Sequence, residues 1–310
     1  MSTVSTGPAS EASLRHDTAP AGAVVVGFDG SAPSELALDW AVDEAVRSGR
    51  PLHLVTAWAI PYSMPAPLAV DPRTIPDPDE PLRQALERVK ERAPQLAVTT
   101  EDGGPSAAVA LIEASRTAQC VVVGTRGHRP VQGALLGSTS LQVSTHAHCP
   151  VVVVRELHPR PDVHPRVVVG VDGSEVSRDA IGYAFAQASE RGIGLTIVHA
   201  WTAQYIEGAT TGQSGEDAWQ RVVEEEYAVT SESLAGWAER YPDVDVRTHV
   251  VRQHPVDALV SESRTAELLV VGSRGRGGFR GLLLGSVGQG VLPRAHCPVA
   301  VVRPKDAATA

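Results

Sequence analysis

Cysteine, aromatic side chains and long apolar runs are all scarce in this chain of 310 residues. Its three cysteines, Cys120, Cys149 and Cys297, each stand close to a valine run, and none has the CxxC or Cys/His spacing of a metal site. We therefore expect them to be buried as small apolar side chains and not to bind a metal. Because aromatic residues make up only 4%, the core should be aliphatic.

Other features that the sequence lacks limit its expected binding partners and cellular compartment. No apolar run reaches the roughly 18 residues needed to span a bilayer, so no membrane segment is expected. Residues 1–21 lack the basic start and the apolar stretch of a secretory signal, which favours a cytoplasmic location. The formal net charge is −9, with 36 acidic against 27 basic side chains, so the surface should repel the phosphate backbone of nucleic acid.

The sequence repeats itself, and the repeat divides it into two similar parts. The segment Val26–Ser31 returns as Val169–Ser174, at an offset of 143 positions (from 29 to 172). Gly124–Gly127 returns as Gly272–Gly275, at an offset of 148 positions (from 124 to 272). We predict a disordered tail over 1–21, a first domain over 22–157, a proline-rich linker over 158–164, a second domain over 165–304 and a tail over 305–310.

Apolar strands alternate with helices in each copy, which predicts an α/β fold with a parallel sheet. Five strands are expected per copy, so the fold class is two tandem, open, five-stranded, Rossmann-like domains. The predicted strands are Ala23–Phe28, Leu52–Trp58, Leu96–Thr99, Cys120–Val123 and Val151–Val154, then Arg166–Val171, Leu195–Trp201, Val246–Val250, Leu268–Val271 and Val299–Val302.

Local signals set several boundaries within the first copy. Ser31 or Ser34 is expected to cap the first helix, and Gly49 to end it. Further helices are predicted over 82–92, 107–117 and 138–145. Seven prolines crowd the segment 60–81, whose counterpart is 202–215; each is either a loop over a ligand pocket or an exposed insertion.

Two features should meet where the parallel strands end, at the usual ligand-binding edge of such sheets. Asp29 ends the first strand, and a glycine-rich loop follows the fourth. Glycine lets a phosphate approach the backbone N–H groups, and a helix start after the final Gly-Ser favours an anion. The loop spacing, Gly-x2-Gly-x9-Gly-Ser, is the same in both copies. Its residues are Gly124, Gly127, Gly137 and Ser138, then Gly272, Gly275, Gly285 and Ser286, with Asp172 as the second aspartate.

On these motifs the chain resembles the universal stress protein family in its tandem form, over nearly all of both copies. The resemblance implies ATP as ligand, with Asp29 and Asp172 on the nucleoside side and the loop glycines and serines around the ribose and phosphates. Ala57 and Ala200 match the backbone position that contacts adenine, where a larger aliphatic residue is common. Family members also pair their last strands across a two-fold axis, which implies an internal pseudo-dimer of the two copies or a homodimer.

Other nucleotide motifs do not fit. No lysine follows the last loop glycine, as a P-loop requires, and no glycine fingerprint of an NAD-binding enzyme follows the first strand. Arg126 and Arg274 either neutralise phosphate charge or belong to solvated loops, and His148 and His296 are interpreted as structural.

Two functions stay open for this chain. One is an ATP-binding stress-response regulator, and the other is a slow ATPase or nucleotidyl-transfer enzyme. The sequence places no general base, and no acidic residue in the loop to hold a metal. This favours the binder, with no catalytic residue and with Mg²⁺ carried on the phosphates.

Overall fold

The fold is described from a computed structural model of the full chain. The residues that it describes are 18–56, 80–104, 106–127, 136–155, 165–202, 224, 226–228, 230–275 and 284–304. The predicted linker, most of the first tail, residues 305–310 and most of the proline-rich segment and its counterpart lie outside them. So do Ala57 and Trp58.

The first copy has the alternating order that its sequence predicts. Its elements are β1 (Val24–Phe28), α1 (Ala32–Ser48), β2 (Leu52–Thr56), α2 (Glu80–Arg92), β3 (Val98–Asp102), α3 (Ala107–Ala114), β4 (Cys120–Gly124), α4 (Ser138–His146) and β5 (Val151–Val154). The apolar runs that end in glycine or aspartate form β1 and β4, and both are buried nearly throughout. Such burial is typical of a parallel sheet covered on both faces.

The second copy repeats this order. Its elements are β6 (Arg166–Val171), α5 (Glu175–Arg191), β7 (Gly194–Trp201), α6 (Trp237–Arg240), β8 (Val246–Arg252), α7 (Pro255–Glu262), β9 (Ala266–Gly272), α8 (Ser286–Val291) and β10 (Val299–Val302). Residues 230–234 are also helical. Gly49 and Gly192 follow α1 and α5 in the left-handed conformation, each with φ near 63°, and so end the two helices.

All ten strands form one sheet, in the order β3-β2-β1-β4-β5-β10-β9-β6-β7-β8. Within each copy the neighbouring strands are parallel. The copies meet where β5 pairs with β10 in the antiparallel direction, with Val152 opposite Ala300. The five parallel strands predicted for each copy are therefore halves of one ten-stranded sheet. Its two switch points lie between β1 and β4 and between β6 and β9.

Two apolar layers cover this sheet, and each contains residues of both copies. One layer joins α1, α2 and α5 to the sheet, and the other joins α3, α4, α7 and α8 to the opposite face. Valine, leucine and alanine dominate both layers, which confirms the expectation of an aliphatic core. Cys120, Cys149 and Cys297 are buried, as the sequence predicts. Within the described residues no helix combines the length and the apolarity that a membrane crossing requires.

Three local predictions need correction. The third strand begins at Val98, not Leu96, and continues to Asp102, because it pairs along its whole length with β2. The third helix ends at Ala114, and residues 115–117 form a turn. Ser31 is the residue before α1, but its side chain makes no capping hydrogen bond, since its hydroxyl donates to Asp29 instead.

Candidate functional site

A cavity of ≈ 420 Å³ opens at the carboxyl ends of β6, β7 and β9 in the second copy. This volume lies within the range of about 300–1,000 Å³ typical of small-molecule sites. All six residues that the sequence places in the second site line the cavity: Asp172, Ala200, Gly272, Gly275, Gly285 and Ser286. The topology therefore brings together segments that are more than 100 positions apart in sequence.

The aspartate and the glycine loop are in direct contact. A Cβ atom added to Gly275 would lie only 2.3 Å from Oδ2 of Asp172, so only glycine lets the loop lie this close to the carboxylate. The other carboxylate oxygen, Oδ1, accepts a hydrogen bond of 3.0 Å from the backbone N–H of Ser174. The backbone N–H of Asp172 donates to the hydroxyl of Ser177 at 3.3 Å. The turn after β6 therefore holds the carboxylate at the edge of the cavity.

The end of the loop is fixed by its own backbone. Gly285 N–H donates to the carbonyl of Ser273 at 2.7 Å, which returns the chain to the end of β9. Gly285 has a φ of −69°, a value that any residue can adopt, so the backbone conformation does not require glycine at this position. Its neighbour Ser286 begins a helix of six residues, and Arg274 lines the same cavity. The polar side chains among the described lining residues thus belong to Asp172, two serines and one arginine.

The first copy has the same arrangement of aspartate and loop. A Cβ on Gly127 would lie 2.2 Å from Oδ2 of Asp29, and Gly137 N–H donates to the Thr125 carbonyl at 2.7 Å. Gly124 packs on the first turn of α1, where an added Cβ would lie 2.6 Å from the carbonyl oxygen of Pro33. The remaining predicted residues of this site are Ser138, which begins the nine-residue α4, and Ala57, which lies outside the described residues.

The two sites also differ in their fixed hydrogen bonds. In the first copy Ser140 donates from its hydroxyl to the carbonyl of Gly124 at 2.6 Å, which ties α4 to the end of β4. The corresponding position of the second copy is Gly288, which lines the cavity and has no side chain to do this. Gly288 therefore cannot provide the equivalent side-chain bond between α8 and the end of β9.

Sequence reasoning missed part of the cavity wall. Ser177 was overlooked, although its equivalent Ser34 stands at the same distance from the first aspartate. Pro255 and Leu259 of α7 and Val198 of β7 form an apolar wall opposite the loop. Their sequence pattern is that of ordinary core residues, so only the packing of α7 against the sheet reveals their position.

The chemistry available in the cavity is recognition of a ligand with an apolar part and an anionic part. Among the described residues that line it, Asp172 is the one acidic residue and Arg274 the one basic residue. Among the described residues no group of three or more His, Cys, Asp or Glu side chains is arranged to hold a metal ion. Burial raises the pKa of the Cys149 thiol to about 12, and it raises the pKa of Cys120 as well, so neither is a thiolate nucleophile at neutral pH.

Comparison with known proteins agrees with this division into two copies. The sequence profile of the universal stress protein family matches twice, over residues 21–155 and 164–303. A universal stress protein of Mycolicibacterium smegmatis is 40% identical over 291 residues, covering 91% of this chain and 97% of that protein. One of Mycobacterium tuberculosis is 36% identical over 309 residues, covering 92% and 96%.

Solved structures show the same fold. The crystal structure of a universal stress protein from Archaeoglobus fulgidus has a TM-score of 0.61 at 23% identity, and the match covers 92% of this chain and 97% of the other. A protein of unknown function from Pseudomonas aeruginosa has a TM-score of 0.63 at 16% identity, covering 93% and 95%. At these identities the likeness concerns the fold alone.

Proposed function

The chain belongs to the universal stress protein family, and from this premise we propose that it is an ATP-binding stress-response regulator whose nucleotide occupancy modulates conformation or partners. The observation that carries the proposal is the cavity of the second copy. An aspartate, a glycine-rich loop and an apolar wall surround one space of suitable volume. A cytoplasmic location, where free cysteines stay reduced, is part of the same proposal.

Each part of the cavity has a role in this proposal. The apolar wall of Val198, Ala200 and Leu259 accepts the adenine ring. The carboxylate of Asp172 accepts hydrogen bonds from the ribose hydroxyls. Arg274 and the amides beside Gly285 and Ser286 bind the phosphates, because a guanidinium and exposed N–H groups are complementary to phosphate oxygens. Mg²⁺ would bind to the phosphates, since a single carboxylate in the cavity offers no protein cage.

Turnover of the nucleotide is expected to be slow. Fast hydrolysis needs a general base that activates water beside the terminal phosphate. In the part of the cavity wall that the structure describes, Asp172 is the only acid, and its carboxylate lies against Gly275 and the turn after β6. We expect a turnover far below the value of about 10 per second typical of enzymes. A rate at or above that value would favour the ATPase alternative.

Titration calorimetry of the nucleotide-stripped full chain tests the binding proposal. Because the aspartate and loop geometry is repeated, we expect close to two ATP equivalents per chain. The two aspartates serve as matched variants: Asp29→Asn and Asp172→Asn should each weaken one of the two binding events. No heat of binding in the folded wild-type protein would contradict the proposal. A single event lost only in Asp172→Asn would restrict it to the second copy.

A further inference from the structure

The joint between the copies is a surface with pseudo-two-fold symmetry. Val152 and Ala300 occupy equivalent positions, 148 residues apart, and lie opposite each other where β5 pairs with β10. The axis that relates the copies therefore passes between these two residues. Arg155 and Arg303 are equivalent as well, and each donates to backbone carbonyls of the other copy: Arg155 to those of Pro293 and Ala295, and Arg303 to that of Thr145.

A polar pair lies on the same axis in the helical layer. Glu44 of α1 and Gln187 of α5 are equivalent positions, 143 residues apart, and they touch. The side-chain amide of Gln187 donates to Oε1 of Glu44 at 2.9 Å. The Glu44 side chain is 1% exposed, so it is a buried carboxylate that requires a partner.

One of its charged partners comes from the other copy. Nη2 of Arg191 lies 2.8 Å from Oε2 of Glu44, and the Arg191 side chain is only 4% exposed. Its guanidinium also lies 5.6 Å from the ring centre of Trp40 in the first copy. The equivalent of Arg191 in the first copy is Ser48, which cannot supply this charge. The cluster of Glu44, Gln187 and Arg191 is therefore asymmetric although the surface around it is nearly symmetric.

This asymmetry distinguishes unlike pairing, in which a first copy meets a second copy, from like pairing, in which two first copies or two second copies meet. Two first copies would bring Glu44 against Glu44, with Ser48 where Arg191 now stands. Arg47 donates to Glu44 at 2.7 Å, but it comes from the same helix and would accompany Glu44 in any pairing. Two second copies would bury two Arg191 side chains without the Glu44 carboxylate. Buried charges without their partners are strongly unfavourable.

Glu190 of the second copy lies beside the same cluster. Burial, followed by the nearby charge of Glu44, raises the pKa of Glu190 above its ordinary value. The side-chain amide of Gln187 donates both to Glu190, at 3.2 Å, and to Glu44, so one amide serves two carboxylates when unlike copies pair. A pair of two first copies contains neither Gln187 nor Glu190, and therefore lacks this shared donor. Shape agrees with charge, because valine faces alanine on the axis, and like pairing would place two valines or two alanines together.

We propose that the buried cluster of Glu44, Gln187 and Arg191 makes the joint selective, so that a first copy pairs with a second copy and not with another first copy. This property is independent of nucleotide binding. It identifies the kind of partner that fits the β5 edge: a second copy, from the same chain or exchanged between chains.

A thiol on the axis reports like pairing. In the full chain with Val152→Cys, the introduced thiol faces Ala300 when unlike copies pair, so it has no sulfur opposite it. If two first copies pair, two introduced thiols face each other at a distance that suits a disulfide between chains. Chains are refolded at a series of concentrations up to roughly 1 mM, comparable with the effective concentration of tethered partners, then oxidised and separated by mass. The parent chain without Val152→Cys measures the background from the three natural cysteines.

A double variant that exchanges the carboxylate of Glu44 and the amide of Gln187 tests the cause of the selectivity. Glu44→Gln combined with Gln187→Glu keeps one carboxylate, one amide and Arg191, but the carboxylate now stands on the same helix as the arginine. When two first copies of this variant pair, no carboxylate at position 44 faces another. We expect this double variant to form several-fold more disulfide-linked dimer than the wild-type background. Glu44→Gln alone should also increase the dimer but melt at a lower temperature. The control Glu35→Gln, on an exposed part of α1, should change neither.

The yield of linked dimer can either support the proposal or overturn it. More linked dimer with native circular dichroism in the double variant and in Glu44→Gln supports selectivity. Linked dimer at the wild-type level in both variants, at the highest concentration, overturns the proposal and leaves the cluster as a stabilising contact only.

Discussion

Gly275→Ala separates the binding role of the glycine loop from its role in the fold. The added methyl carbon would lie 2.3 Å from Oδ2 of Asp172, whereas an unstrained carbon–oxygen contact needs about 3.3 Å. Either the carboxylate or the loop must therefore shift by about 1 Å. The clash involves the end of a side chain and not backbone, so the fold should adapt. A carboxylate displaced this far no longer meets a ribose hydroxyl, and a hydrogen bond to a charged group contributes about 1.5–3 kcal/mol. We therefore expect ATP affinity in the second copy to fall by about 10- to 150-fold.

Calorimetry with ATP measures this loss, and circular dichroism during heating checks that the variant is folded. Gly285→Ala is the matched control: it lies in the same loop, and its added Cβ would meet its nearest neighbours only at 3.4 Å and 3.5 Å. Its effect on affinity should be several-fold smaller. If folded Gly275→Ala binds two equivalents of ATP as tightly as the wild type, the contact between loop and aspartate is not part of the site, and the assignment of Asp172 would be refuted.

Three further outcomes are expected. Gly285→Glu should abolish binding in the second copy while the protein stays folded, because it adds a negative charge where a phosphate is expected and the native φ is compatible with a side chain; unchanged calorimetry would refute this. Arg155→Ala and Arg303→Ala should each lower the free energy of unfolding by about 1.5–3 kcal/mol in urea titrations, because each removes charged hydrogen bonds across the joint, and a loss below 0.5 kcal/mol would contradict it. Glu190→Gln should raise the melting temperature at pH 7 but not near pH 3. The pKa of Glu190 is raised in the folded state, so ionisation of this carboxyl opposes folding. This penalty is absent below the ordinary pKa of glutamate and fully present above the raised pKa. An equal gain at both pH values would contradict this explanation.

The fold was largely predictable because its central strands are continuous apolar runs. β1, β4, β5 and β10 are covered on both faces, so composition alone marks them. β3 was placed less well, because it is an edge strand whose polar residues are only partly buried. An edge strand is defined by its pairing with β2, and pairing is a long-range property that a local pattern does not contain.

The candidate site was predictable at positions where close packing of the backbone allows only one residue type. Gly127 and Gly275 were identified from spacing, and the structure shows the cause, which is their contact with an aspartate. Leu259 and Ser177 were not identified, because a leucine on a helix and a serine in a first turn have many ordinary uses. The pairing of Glu44 with Gln187 was also out of reach, since nothing in the sequence shows which residues lie on the axis between the copies.

The order of strands also governs which edges of the sheet stay open to other chains. β5 reads Val-Val-Val-Val and β10 reads Val-Ala-Val-Val, and each is buried along its length because it lies beside the other. The outermost strands, β3 and β8, instead carry charged side chains, among them Glu101, Asp102, Arg247 and Arg252. Charged edges discourage intermolecular strand addition, whereas a bare valine edge invites aggregation. Separating the two copies would uncover such an edge, so their pairing within one sheet also protects both valine strands from fibrous assembly.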